Sequence, residues 1–90
     1  MQRIVHLNTC KRPEVQFVHR NYTQNDIREI FDSMQVRILD QDFHAETMKD
    51  GSNLYTNVYT LSIPGATRYQ DLITTLSEHP NIRTVRTRNV

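Results

Sequence analysis

Asp40, Asp42, His44 and Glu46 occupy alternate positions along one short stretch. On a β-strand, residues two apart project from the same face about 7 Å from one another. Two carboxylates and an imidazole so placed are donors that a divalent cation accepts, which makes Asp40, Asp42 and His44 candidate metal ligands. The competing reading is a solvated charged row on an edge strand, where charge discourages pairing with other chains. The four histidines, His6, His19, His44 and His79, are scattered with no pair at i, i+4 spacing. Cys10 is the only cysteine, so a disulfide framework and a CxxC motif are both excluded. No Ser stands in a glycine-rich elbow, and Gly51 and Gly65 are the only glycines, too few for a phosphate-cradling loop. The chain is expected to have no catalytic residues and no cofactor.

The elements that must position these residues are legible from hydrophobic period. Val15, Phe17 and His19 alternate with Gln16, Val18 and Arg20, predicting a half-buried strand over 15–20. Ile27, Ile30, Phe31 and Met34 fall at i, i+3, i+4, i+7, predicting an amphipathic helix over 24–34 with Thr23 as its N-cap and Asp26 completing a capping-box-like pair. In the next strand Val36 and Ile38 share one parity while Leu39, Phe43 and Ala45 share the other. A β-bulge near Ile38–Leu39 produces such a switch. Lys49-Asp50-Gly51-Ser52 reads as a hairpin turn. Over 54–63, Tyr55, Tyr59, Leu61 and Ile63 point one way and Thr56, Val58, Thr60 and Ser62 the other. Thr67 and Gln70 suggest a second capping box, Tyr69, Leu72, Ile73 and Leu76 a second helical stripe over 68–78, and Pro80 its stop. Ile82 and Val85 anchor a last strand. Residues 1–13 do not fit this repeat. Ile4, Val5 and Leu7 form an apolar patch and Asn8 to Pro13 a connector, so 1–13 is expected to be a flexible lead-in to a domain over 14–90, with a short extra strand or helical turn as the alternative.

Two consecutive strand–helix–strand halves imply an α+β, ferredoxin-like βαββαβ domain: one antiparallel sheet with both helices on one face. Its other face, with Gln16, Val18, Val58, Thr60 and Ser62, reads as mildly apolar and uncovered, a natural surface for homodimerisation, as is the edge strand. Ninety residues bury only about 60–65% of the unfolded surface, so a partner subunit would add stability. Eleven basic and ten acidic residues leave a net charge of +1, which gives no electrostatic case for nucleic acid or an anionic bilayer as main partner. Phe17, Tyr55 and Tyr59 are placed like stacking aromatics of an RNA-recognition module, but the 53–59 strand lacks that module's Gly-and-Phe signature. Tyr59 also shares parity with Leu61 and Ile63, so core packing is expected and no nucleic-acid partner. A single cysteine fits a reducing, intracellular setting, and no apolar stretch approaches the roughly 18–20 residues of a membrane span.

The run Leu72-Ile73-Thr74-Thr75-Leu76-Ser77-Glu78-His79-Pro80-Asn81-Ile82-Arg83-Thr84-Val85-Arg86 resembles the closing helix–strand unit of ACT and ACT-like domains. There a helix turns into a V-x-x-V strand, matched here by Ile82 and Val85. A narrower resemblance is to the ACT-like cytosolic C-terminal domain of the MgtC/SapB family of bacterial inner-membrane proteins. It is carried by Lys11-Arg12, Met34-Gln35-Val36-Arg37-Ile38 and Leu61-Ser62-Ile63-Pro64-Gly65. The resemblance implies a regulatory domain, a membrane domain of the same full-length protein as partner, a link to magnesium homeostasis, and residues 1–13 as the tether. It also implies a small-molecule ligand at the loops around His19, Asn21 and Thr23 and around Gly65, with His19 the best single polar contact. Amino-acid-binding ACT domains place a glycine in the first of these loops, where this chain has none.

Overall fold

A computed structural model describes residues 8–88. The elements run β1 (Thr9–Phe17), α1 (Arg20–Ser33), β2 (Arg37–Thr47), β3 (Asn53–Ile63), α2 (Tyr69–Ser77) and β4 (Ile82–Arg88). The strands form one antiparallel sheet in the order β2-β3-β1-β4. The two helical stripes meet the same sheet face: Ile27 and Phe31 of α1 and Leu72 and Leu76 of α2 are fully buried with Val15, Phe17, Tyr59, Leu61 and Ile63. Each such side chain contributes about 1.5–3 kcal/mol of burial free energy, and Phe31 meets Tyr59 edge to face at 5.1 Å. This is the ferredoxin-like arrangement that the two-half pattern implies.

Three local readings of the sequence are corrected. The first strand spans Thr9–Phe17 rather than 15–20, so Thr9–Pro13 is strand and not connector. Cross-strand pairing outweighs local turn propensity there: Thr9, Cys10 and Lys11 pair with Ile63, Ser62 and Leu61 of β3. The same ladder skips Arg12 and Pro13, the latter lacking an N–H to donate. The first part of the expected 1–13 lead-in, residues 1–7 with the apolar patch of Ile4, Val5 and Leu7, lies outside the described residues. Helix α1 starts at Arg20, a turn before 24, because His19 adopts the left-handed region (φ 58°) and turns the chain out of β1. Thr23 is therefore inside α1, where its hydroxyl donates to the Val18 carbonyl at 2.6 Å. Neither capping box forms: Asp26 bonds His79, α2 is capped by Arg68 without a side-chain bond, and the Thr67 hydroxyl donates to the Met34 carbonyl.

The far end of α1 closes in a Schellman motif. Val36 N–H donates to Phe31 O (2.9 Å) and Gln35 N–H to Asp32 O (3.1 Å), with Gln35 in the left-handed region at φ 59°. The expected bulge is present, since the β2–β3 register shifts between Ile38 and Asp40. In the hairpin turn Gly51 holds φ 89°, and the Asp50 carboxylate accepts from the Ser52 hydroxyl and N–H, hydrogen bonds that lower its pKa.

Candidate functional site

Where β1 runs into α1, three aromatic rings line up across the sheet: Phe17 stacks on Tyr55 at 5.8 Å and Tyr55 on Phe43 at 5.9 Å. The Arg20 guanidinium, from the first residue of α1, lies 4.6 Å from the Phe43 centroid, a cation–π contact that ties the helix start to the edge strand. His19 and Tyr55 stand between two open hollows. One, of about 370 Å³, is lined by His19, Arg20, Asn21, Tyr22 and Tyr55. The other, of about 440 Å³, is lined by Val18, His19, Tyr55, the hairpin residues Asp50, Ser52 and Asn53, and Arg83. Imidazole, guanidinium and amide groups beside an aromatic wall suit a small polar ligand with an apolar portion.

Of the four positions expected around a ligand, this geometry unites two. His19 and Asn21 share the first hollow. Thr23 is fully buried with its hydroxyl committed to Val18, so it holds the loop and offers nothing to a ligand. Gly65 lies at the opposite end of the sheet: β1 pairs with β3 from Phe17↔Tyr55 at one end to Thr9↔Ile63 at the other, and Gly65 follows Ile63. Eight strand residues at about 3.3 Å each separate the two loops by roughly 26 Å. Arg20, Tyr22 and Phe43 are the residues sequence reading missed, because placing Arg20 in a strand hid its position as the first turn of α1.

Asp40, Asp42 and His44 do share one sheet face, the one opposite the helices, and all are exposed. Among the described residues no three His, Cys, Asp or Glu side chains converge closely enough to hold a metal ion. The face is also more charged than Gln16, Val18, Val58, Thr60 and Ser62 suggest. Arg12, Glu14, Arg86 and Arg88 stand on it too, with Arg88 Nη2 donating to Glu14 Oε1 at 2.8 Å.

A second polar cluster is internal. Asn57 is fully buried on β3, its Nδ2 donating to the Tyr59 hydroxyl at 2.7 Å and its Oδ1 accepting from Gln41 at 3.3 Å. Burial pushes the Tyr59 phenol up to about 12. Between the helices, His79 Nδ1 accepts from Asn81 N–H at 3.1 Å, which leaves Nε2 to donate to Asp26 Oδ2 at 2.6 Å. No Ser, Thr or Cys side chain is hydrogen-bonded to this pair among the described residues, so it works as a clamp between α1 and α2.

No protein-family model and no curated protein sequence matches the chain. Solved structures do. The ACT domain from GTP pyrophosphokinase of Chlorobium tepidum superposes with a TM-score of 0.62 at 15% identity, over 89% of this chain and 97% of that one. The C-terminal domain of the MgtC protein from Mycobacterium tuberculosis gives a TM-score of 0.62 at 16% identity, over 97% and 92%. Both sequence resemblances thus have a structural counterpart. At these identities the likeness establishes an ACT-type fold.

Proposed function

We propose that the chain is a non-catalytic regulatory and oligomerisation domain, the cytosolic part of an MgtC/SapB-type inner-membrane protein linked to magnesium homeostasis, and that it acts as a homodimer. The observation carrying this reading is the near-complete two-way coverage between this chain and the MgtC C-terminal domain, 97% and 92%. Strand β2 supports self-association. It is an edge strand with every residue but Gln41 exposed, and its own Ile38, Leu39 and Phe43, with Met48 just past its end, present apolar surface. No helix among the described residues is long and apolar enough to cross a membrane, so anchoring would come from another part of the protein. Sedimentation velocity across a concentration series tests the reading. A reversible dimer is expected, and a monomer at millimolar concentration in low salt overturns it. An upstream coding sequence with several apolar segments of about 20 residues supports the membrane attachment, and its absence sinks that part.

The hollows at His19 favour a second reading, a free-standing ACT-like module that binds a small ligand. A titration of ¹⁵N-labelled protein with amino acids, nucleotides and Mg²⁺ separates the two. Saturable shifts at His19–Asn21 and Tyr55 support ligand sensing, shifts at Asp40–His44 support a divalent-ion module, and a silent spectrum from a stable dimer leaves assembly alone.

A further inference from the structure

The helix-free sheet face is divided by charge. Register fixes its rows: Asp42–Val58–Glu14–Arg86 lie side by side from β2 to β4, and the next row is His44–Thr56–Gln16–Thr84. One row the other way, Asp40 sits beside Thr60 and Arg12 beside Arg88. The β2 side therefore carries Asp40, Asp42 and Glu46 against the single Arg37, one row beyond Asp40, while the β1–β4 side carries Arg12, Arg86 and Arg88 against the single Glu14, which Arg88 bonds. Strand spacings of about 4.8 Å put the β2 carboxylates roughly 10 Å from Arg12 and roughly 14 Å from Arg86 and Arg88. Both distances exceed the screening length of about 8 Å at physiological salt, so the borders do not neutralise each other within one chain. Between β2 and β4 the face is made of Thr56, Val58, Thr60 and Gln16, with Arg12 and Glu14 of β1 the only long side chains among these central positions. A hollow of about 280 Å³ opens there.

From this pattern we infer that the face is covered by the same face of a second copy, related by a two-fold axis parallel to the strands and running between β3 and β1. That operation lays the partner's β4 over β2 and keeps each row in place, so Asp42 meets Arg86, Asp40 meets Arg88, and both pairs repeat on the other side of the axis. A two-fold across the strands would set carboxylates over carboxylates and arginines over arginines, so charge selects one of the two face-to-face arrangements. A polyanion would meet the acidic half of the face, and an acidic protein likewise. A copy of this chain satisfies both halves. Arg12 sits beside the axis with its Nε buried and without a hydrogen-bond partner in the single chain, opposite the partner's Thr60 row in the stack. The inference deepens the homodimer reading above and rests on it.

Charge reversal tests it. Asp40→Arg/Asp42→Arg in one protein and Arg86→Glu/Arg88→Glu in another place like charge over like in each homodimer, but opposite charge over opposite when the two are mixed. At 20 mM NaCl each variant alone should dimerise at least tenfold more weakly than wild type, and an equimolar mixture should recover dimer. Raising NaCl to 500 mM should weaken the wild-type dimer. Two variants that dimerise like wild type locate the interface elsewhere and overturn the stacked face while leaving the dimer reading intact. A monomeric wild type overturns both. If a variant fails to fold, the exposed Cys10, which lies on this face, provides a second measurement. Spin-labelled protein is mixed with ¹⁵N-labelled Cys10→Ser protein, and broadening is expected at Thr60 and Ser62 of the labelled copy. Broadening confined to the helices, or none, overturns the arrangement.

Discussion

Removing one hydroxyl, in Tyr59→Phe, should both destabilise the protein and change how its stability depends on pH. At neutral pH the loss is structural: Asn57 Nδ2, fully buried, is left without its 2.7 Å acceptor. An orphaned buried donor of this kind costs about 1–2 kcal/mol, while the ring keeps its edge-to-face contact with Phe31. Alkaline pH acts on the wild type alone. The folded protein keeps the Tyr59 proton up to about 12, whereas an unfolded chain releases it near 10. Stability from this group is therefore intact below pH 10 and is lost as pH rises from there through about 12. At pH 11, one unit above the unfolded value and one below the folded value, the wild type has lost about 1.4 kcal/mol to Tyr59 ionisation. The advantage of wild type over Tyr59→Phe should therefore shrink by that amount between pH 7 and pH 11, close to vanishing. Urea unfolding followed by far-UV circular dichroism at the two pH values reads both terms. Tyr69, also raised by burial, titrates in both proteins and cancels in the difference. An unchanged gap between pH 7 and pH 11 would refute the claim that the fold disfavours the Tyr59 anion.

Three further substitutions probe the local supports of the fold. Gln35→Gly relieves a left-handed residue at φ 59°. The strain removed, about 1–2 kcal/mol, outweighs the added freedom of the unfolded chain, so a net gain near 0.5 kcal/mol and a rise of roughly 2–4 °C in Tm are expected by calorimetry. Thr23→Val keeps the buried shape but deletes the 2.6 Å bond to Val18 O. It should cost about 1–2 kcal/mol and shift the amide resonances of His19 and Asn21 more than those of α2. Asp26→Ala cuts the clamp to His79 and should lower stability by about 1 kcal/mol, with faster amide exchange where the α2 C-terminus meets β4. An unaltered exchange pattern would show that the clamp holds nothing.

Stripe and alternation made the architecture readable because burial imposes period. Ile27 and Phe31 of α1, Leu72 and Leu76 of α2, and Tyr59, Leu61 and Ile63 of β3 are buried as their spacing requires. Element starts were not readable, since tertiary pairing set them. Cys10 and Lys11 look like loop until Ser62 and Leu61 stand across from them. Thr23 has the chemistry of a cap, yet a left-handed His19 moves the helix start one turn upstream and turns the same hydroxyl into a strap. His19 and Gly65 appeared equivalent because they occupy matching loops of the two halves. Antiparallel β1 and β3 send those loops to opposite ends of the sheet.

The charged face shows how a local irregularity can decide a surface. Val36 is buried and Ile38 lies opposite Leu61, both on the helix side. In an uninterrupted strand, alternation would carry Asp40, Asp42, His44 and Glu46 to that same side, under the helices and among apolar groups, where carboxylates are costly to bury. The extra residue at the bulge, Leu39, reverses the parity. Gln41 and Phe43 then take the helix side, Gln41 reaching Asn57 and Phe43 stacking on Tyr55. The acidic row is moved to the open face, across from Arg86 and Arg88. The same insertion thus completes the aromatic ladder beside His19 and gives the opposite face the charge division on which its pairing with a second copy depends. Both features follow from the register of β2 against β3, which the hairpin turn and the bulge set together and no single strand displays.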